Sequence, residues 1–160
     1  MLKNTIQTKW VVSMLLFFIS FSLTSFKNRV EMFIIEDFVD FAVAEEIPQF
    51  KGCDGFMTRK EAVECFNKKM MNHIKRNFTY PEEAVDRKIE GRVDVSFIIT
   101  NAGLIKDITA KASNDRESDG ELLEYEAKRI ISMLPKFTPG KHQGKLVNVK
   151  YGLPITFRMM

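Results

Sequence analysis

Gly91-Arg-Val-Asp-Val-Ser-Phe-Ile-Ile-Thr-Asn-Ala-Gly-Leu-Ile-Lys-Asp-Ile-Thr-Ala-Lys-Ala112 is the stretch around which the rest of the chain is arranged. Val93, Val95, Phe97 and Ile99 alternate with Asp94 and Ser96, the period-two pattern of a half-buried strand. Asn101-Ala102-Gly103 follows as a turn, with Gly103 suited to positive φ at a hairpin corner. Ile105, Ile108, Ala110 and Ala112 carry the return strand. The apolar positions switch from odd to even between Ile105 and Ile108, which predicts a β-bulge, because a regular strand would turn one set outward.

The chain has 160 residues, room for one domain of roughly 115 residues beyond its N-terminal region. A net charge of +3 is too small to argue for nucleic acid, and no recognition motif supports such a partner. Cys53 and Cys65 are the only cysteines, and His73 and His142 lie far apart, so no metal site with defined ligand spacing is present in the sequence. On the first helix His73 reads as a satisfied or surface histidine. Asp94, Asp107, Asp115 and Asp119 are scattered, and neither cysteine sits beside a histidine in a nucleophile motif. The sequence therefore reads as a binding and anchoring protein, with no cofactor, rather than as an enzyme.

Lys3 and Lys9 precede an uncharged run from Trp10 to Phe26. The run is about 17 residues long, against roughly 17–25 for a spanning helix and about 7–15 for the apolar part of a signal peptide. Thr24-Ser25-Phe26 makes a poor cleavage site, and Ala42-Val43-Ala44 lies too far downstream. The expectation is a retained single-pass transmembrane helix with the domain outside the cytoplasm. A cleaved signal peptide is the alternative, and a buried soluble helix a third reading. Residues 1–30 are thus assigned to the anchor or signal segment, 31–46 to a short linker and 47–160 to the domain. Export implies an oxidising compartment, so Cys53 and Cys65 are expected to form a disulfide, the alternative being two buried thiols.

Thr58-Arg-Lys-Glu61 is a capping box, and Ala62, Val63, Phe66, Met70 and Ile74 repeat at helical spacing after it. Tyr80-Pro81-Glu82-Glu83-Ala84 opens a short second helix that Gly91 is expected to close. Ser118-Asp-Gly-Glu121 is a second capping box, before Leu122, Leu123, Ala127, Ile130, Ile131 and Leu134. From Leu146 to Met159, Val147, Val149, Tyr151, Leu153, Ile155 and Phe157 alternate with polar residues, and Pro154 lies inside this last strand. Hairpin, helix, strand predicts an α+β fold. Its three-stranded antiparallel sheet has the order 2-1-3 (return strand, first strand, last strand), with helices on one face. Proline is tolerated on an edge strand and not in a central one, which puts the last strand outside.

In this order, Tyr80-Pro81 with Ala84, Gly91-Arg92-Val93, Phe97, Gly103, Leu134-Pro135-Lys-Phe137-Thr-Pro139-Gly140-Lys141, Gly144-Lys145 and Leu153-Pro154-Ile155-Thr-Phe157 resemble the TonB C-terminal domain family. Ile47-Pro48-Gln-Phe50-Lys-Gly52-Cys53 and Cys65-Phe66 are similar to the lead-in of its Bacteroidetes members. The resemblance runs from about Ile47 to Phe157. It implies a periplasmic energy transducer in the inner membrane, anchored here through Trp10–Phe26. Such a protein binds the TonB box, a short peptide of outer-membrane transporters, and engages an inner-membrane proton-driven motor complex.

With that implied partner, the last strand becomes the expected binding edge. If the strand is regular through Gly152, then Asn148, Lys150 and Gly152 point their backbone groups away from the first strand, as β-augmentation requires. Pro154 shares their parity, offers no donor and limits the edge. Two features depart from the family's transducers. Lys27–Glu46 replaces a long proline-rich arm with about 20 residues, at most roughly 70 Å when extended. Ser13 is followed four residues later by Phe17 where those anchors carry a histidine. They motivate a second reading, a short periplasmic interaction module that does not drive transport.

Overall fold

In the computed structural model, residues 38–53, 55, 58–113 and 117–159 are described. The anchor expected at Trp10–Phe26 lies outside them, and among the described residues no helix is long and apolar enough to cross a membrane. The elements are β1 (Phe38–Asp40), α1 (Arg59–Asn77), α2 (Glu82–Asp86), β2 (Gly91–Ile99), β3 (Ile105–Ala112), α3 (Glu117–Ser132), β4 (Lys141–His142), β5 (Lys145–Leu146) and β6 (Asn148–Phe157).

The alternation in β2 is realised from Arg92 to Phe97, and at its end Ile98 is buried as well. Val93, Val95, Phe97 and Ile99 are all buried, facing Phe66, Met70 and Ile74 of α1 and Leu123, Ala127, Ile130 and Ile131 of α3 in one core. Asp94, Thr109, Lys111 and Thr156 are exposed on the opposite face, so the helices cover one side only. The hairpin bulge is present: the register of β2 with β3 shifts between Ser96 and Ile98. The extra residue falls on β3, where Asp107 takes φ +52°. It keeps both Ile105 and Ile108 packed against the core. Thr58 caps α1 as expected, with Glu61 Oε2 accepting from the Thr58 N–H at 2.8 Å. These Thr58 bonds hold the Glu61 carboxyl below its ordinary value.

Two helix boundaries differ from expectation. α2 ends at Asp86, with Lys88 in the left-handed region at φ +54°, and Gly91 opens β2 instead of closing the helix. α3 begins at Glu117, so Ser118 lies inside its first turn rather than before it.

The sheet corrects the three-stranded antiparallel expectation. It has four strands in the order β1-β6-β2-β3. The predicted order of the three long strands holds, but β1 adds to β6 in parallel, making the sheet mixed. Phe38–Glu46 therefore belongs to the folded body rather than to a linker ending at residue 46. Four carbonyls of this segment converge on the Arg59 guanidinium: Phe41 O at 3.2 Å, Ala42 O at 2.8 Å, Glu45 O at 3.2 Å, and Ala44 O. One planar, permanently charged fork thus satisfies carbonyls that no helix or sheet claims.

Cys53 and Cys65 form the expected disulfide, with a Cα–Cα distance of 5.8 Å. It ties the lead-in loop to the middle of α1. Closing a loop with a sequence separation of 12 stabilises by about 3 kcal/mol in the chain-entropy picture. Denaturant titration of the Cys53→Ser/Cys65→Ser double variant should show that loss. An unchanged midpoint would mean that the bridge contributes no stability.

The chain between α1 and α2 is fixed by a buried carboxylate. Glu126, 5% exposed, accepts from Thr79 N at 2.8 Å and from Arg129 Nε at 2.6 Å. The hydrogen bond to Glu126 raises the Arg129 guanidinium further above its ordinary value. Phe78 and Tyr80 are thereby set against Phe157 of β6, with ring centroids 5.1 and 5.8 Å away.

Candidate partner-binding edge

β6 pairs with β2 without a break, from Gly91 opposite Phe157 to Ile99 opposite Val149. No bulge occurs at Gly152, so one parity holds along the whole strand. Phe41 N donates to Lys150 O at 3.0 Å, which shows that the backbone groups of Lys150 point away from β2. By alternation those of Asn148, Gly152, Pro154 and Thr156 do the same. The sequence-derived parity is therefore correct.

Occupancy is where the expectation fails. β1 lies against the first part of this edge, with Phe38 opposite Asn148, Val39 opposite Val149 and Asp40 opposite Lys150. Of the three residues assigned to partner pairing, Asn148 and Lys150 already face a strand of their own chain. The Asn148 side chain is also used, accepting from Asn101 N at 3.0 Å. Gly152 remains open, and beyond it Pro154 and Thr156: among the described residues no strand lies beside them. The last strand is an edge only past Lys150, which is also where its proline stands.

Beside this open half runs a groove of about 730 Å³ between β6 and α1. Met71, Ile74 and Phe78 face Pro154, Ile155 and Thr156 across it, and Lys75 and Arg158 supply positive charge. Met71 is 51% exposed and lines the groove beside the open strand. Sequence reasoning missed this groove; Met71 next to the buried Met70 was its one sign.

The remaining singled-out groups are structural. His73 Nε2 lies 2.9 Å from Ile130 O, and its Nδ1 lies 3.3 Å from Asn77 Nδ2, so the ring is satisfied between two helices. Tyr151 packs on Phe41, Phe66 and Phe97, and burial pushes its phenol up. Among the described residues, no three His, Cys, Asp or Glu side chains converge as metal ligands would.

Residues 76–159 match the family described as Gram-negative bacterial TonB protein C-terminal. No curated protein matches the chain. Two solution structures of the Helicobacter pylori TonB C-terminal domain are similar to it. For that of residues 179–285 the identity is 23% and the TM-score 0.45, covering 69% of this chain and 91% of the other. For that of residues 194–285 the identity is 26% and the TM-score 0.39, covering 57% and 91%. The family match spans more than half of the chain and contains Tyr80-Pro81, the hairpin, Pro139-Gly140 and all of β6: the protein belongs to the TonB C-terminal family.

Proposed function

We propose that this is a TonB-like periplasmic protein, held at the inner membrane by Trp10–Phe26. It binds the TonB box of outer-membrane transporters and couples inner-membrane energy to their transport. The observation that carries the reading is the open edge of β6 from Gly152 to Thr156, in a chain of this family. A peptide in extended conformation adds to that edge through backbone bonds, and the groove of Met71, Ile74 and Phe78 takes its side chains. Asn148 and Lys150 lie on the same side of β6 but are covered by β1, and Pro154 limits the part that is open.

The test is Thr156→Pro. Proline there removes one outward donor while the inward bonds of β6 to β2 stay. Binding of a TonB-box peptide, followed by titration calorimetry, is expected to weaken about tenfold, the worth of one hydrogen bond and its neighbours' alignment. Unchanged affinity in a variant with wild-type circular dichroism places the partner elsewhere.

A second reading is favoured by the length of chain before β1. Because β1 begins at Phe38, only Lys27–Asp37 separates the apolar run from the sheet, at most about 40 Å when extended. That reach suits an interaction module that stays near the membrane and does not drive transport. Deletion followed by transporter-dependent uptake separates the two: lost uptake supports coupling, and unchanged uptake without a compensating paralogue supports the module.

A further inference from the structure

The two sides of α1 differ sharply in its C-terminal half. Phe66, Met70 and Ile74 are buried in the core. Opposite them stand Lys68, Lys69, Met71, Asn72, Lys75 and Arg76, a stripe set by the 3.6-residue period. The stripe holds acids only nearer the start of α1, at Glu61 and Glu64, and Glu61 is taken up by Thr58. From Cys65 to Asn77 the helix carries none. The grooves on either side continue the pattern. One, of about 340 Å³, is lined by Lys51 of the lead-in loop together with Lys69 and Arg76. The other, of about 730 Å³, is lined by Lys75 together with Arg158. No acid lines either groove among the described residues. Among the described residues none of these six cations makes an ion pair, and the Lys69 ammonium donates to Lys51 O at 2.7 Å. The whole chain has a net charge of only +3, so the remainder is net acidic and positive charge is concentrated on this face. Met71, 51% exposed, stands on the stripe between Lys68 and Lys75.

We propose that this face of α1 docks on the anionic phospholipid surface of the membrane that carries the chain. The inference rests on the anchoring part of the reading above. The cations approach the lipid phosphodiesters, while Met71 and the aliphatic stems of Lys68 and Lys75 enter the headgroup region. The length of the tether favours lipid over an acidic protein. β1 begins at Phe38, and Lys27–Asp37 reaches at most about 40 Å when extended. The face is therefore presented to its own bilayer at high effective concentration, where a modest attraction per cation suffices. Docking also orients the domain, because the net acidic remainder is repelled by the same surface.

The test uses the full chain reconstituted in lipid discs of phosphatidylcholine, or of equal parts phosphatidylcholine and phosphatidylglycerol. Mass spectrometry follows the rate at which a water-soluble reagent acetylates each lysine. In the anionic discs Lys68 and Lys75 are expected to react about tenfold more slowly than in phosphatidylcholine. At about 1 M salt, where the Debye length is about 3 Å, that difference should vanish. Lys111, exposed on the opposite face of the sheet, should react equally in both. Lys68→Gln with Arg76→Gln should cut the ratio of docked to free domain about thirtyfold and return Lys75 to its phosphatidylcholine rate. Lys111→Gln with Lys145→Gln removes the same charge from two other exposed positions and should leave Lys75 protected. Equal Lys75 rates in the two lipids, in discs that retain the chain, overturn the docking and leave the anchor standing. A chain that phosphatidylcholine discs do not retain overturns the anchor and the docking with it. Protection of Lys75 by dissolved polyglutamate, with none from anionic lipid, assigns the face to an acidic partner and overturns the docking.

Discussion

Gly103→Ala is expected to cost about 4 kcal/mol, because the added methyl meets backbone at a glycine of positive φ. Gly103 sits at φ +79°, and a Cβ built there would lie 1.9 Å from Phe137 O and 3.0 Å from Phe137 C. The obstacle is backbone, so no side-chain rotation relieves it. Alanine forces the Phe137 segment away and gives up the Phe137 N to Gly103 O bond of 2.9 Å, worth about 1 kcal/mol. It also loosens Phe137, which is 3% exposed and stacked 4.6 Å from Phe50. Gly144 is the control: its φ is +72° with no atom within 4 Å of a built Cβ, so Gly144→Ala carries only the left-handed backbone cost of about 1 kcal/mol. Denaturant unfolding of both variants separates conformation from contact. Equal losses would mean that the Gly103–Phe137 approach contributes no specific constraint.

That contact shows why some of the fold was legible and some was not. Gly103 is readable as a turn glycine from Asn101-Ala102-Gly103 alone, and Phe137 as an apolar residue after α3. Their meeting is not readable, because a backbone-to-backbone approach leaves no mark on residue type. The same division recurs elsewhere. Val93, Val95, Phe97 and Ile99 announce a strand by alternation, and the switch at Ile105 and Ile108 announces the bulge that Asp107 makes. The capping box at Thr58 and Glu61 is local in sequence and therefore visible. Phe38-Val39-Asp40 is too short to show a period, and its parallel pairing with Asn148–Lys150 joins the two ends of the domain. Arg59 reads as an ordinary second residue of a capping box, since the groups it collects are the backbone carbonyls of Phe41, Ala42, Ala44 and Glu45, which every residue type carries.

The candidate site divides along the same line. Parity is a local property, and it correctly turns Lys150 away from β2. Occupancy is a tertiary property, and it moves the open edge from Asn148–Gly152 to Gly152–Thr156. Pro154 thereby acquires a second meaning. Beneath a covering strand it would cost a ladder bond, whereas past the end of β1 it costs none and leaves an edge that pairs weakly with passing chains. The disulfide was legible because an uncharged N-terminal run, which suggests export, and an even cysteine count can both be read from the sequence. The groove was not, since Met71, Ile74 and Phe78 come from the end of one helix while Pro154 and Thr156 come from the last strand.

Phe66→Ala is expected to cost about 4 kcal/mol and to lower the melting temperature by roughly 15 °C, a cavity effect in a domain of this size. Phe66 is fully buried at 0% exposure, and four rings surround it: Phe41 at 4.8 Å, Phe50 at 5.2 Å, Tyr151 at 5.0 Å and Phe137 at 6.0 Å. They come from the turn after β1, the lead-in loop, β6 and the loop that Gly103 touches. Next to Phe66 in sequence is Cys65, which brings the disulfide to the same place. Truncation therefore opens a cavity at the point where these four segments meet α1, and the tilted and edge-on ring contacts are lost beyond the buried area. Phe66→Leu, which keeps most of the volume, should cost no more than about 1.5 kcal/mol. Because Phe41 anchors the turn behind β1 and Tyr151 lies inside the edge strand, Phe66→Ala should also speed amide exchange at Lys150 and Gly152 more than at Val93 or Val95. A uniform increase across β2 and β6 would show that the ring cluster supports the whole sheet equally instead of the β1–β6 edge.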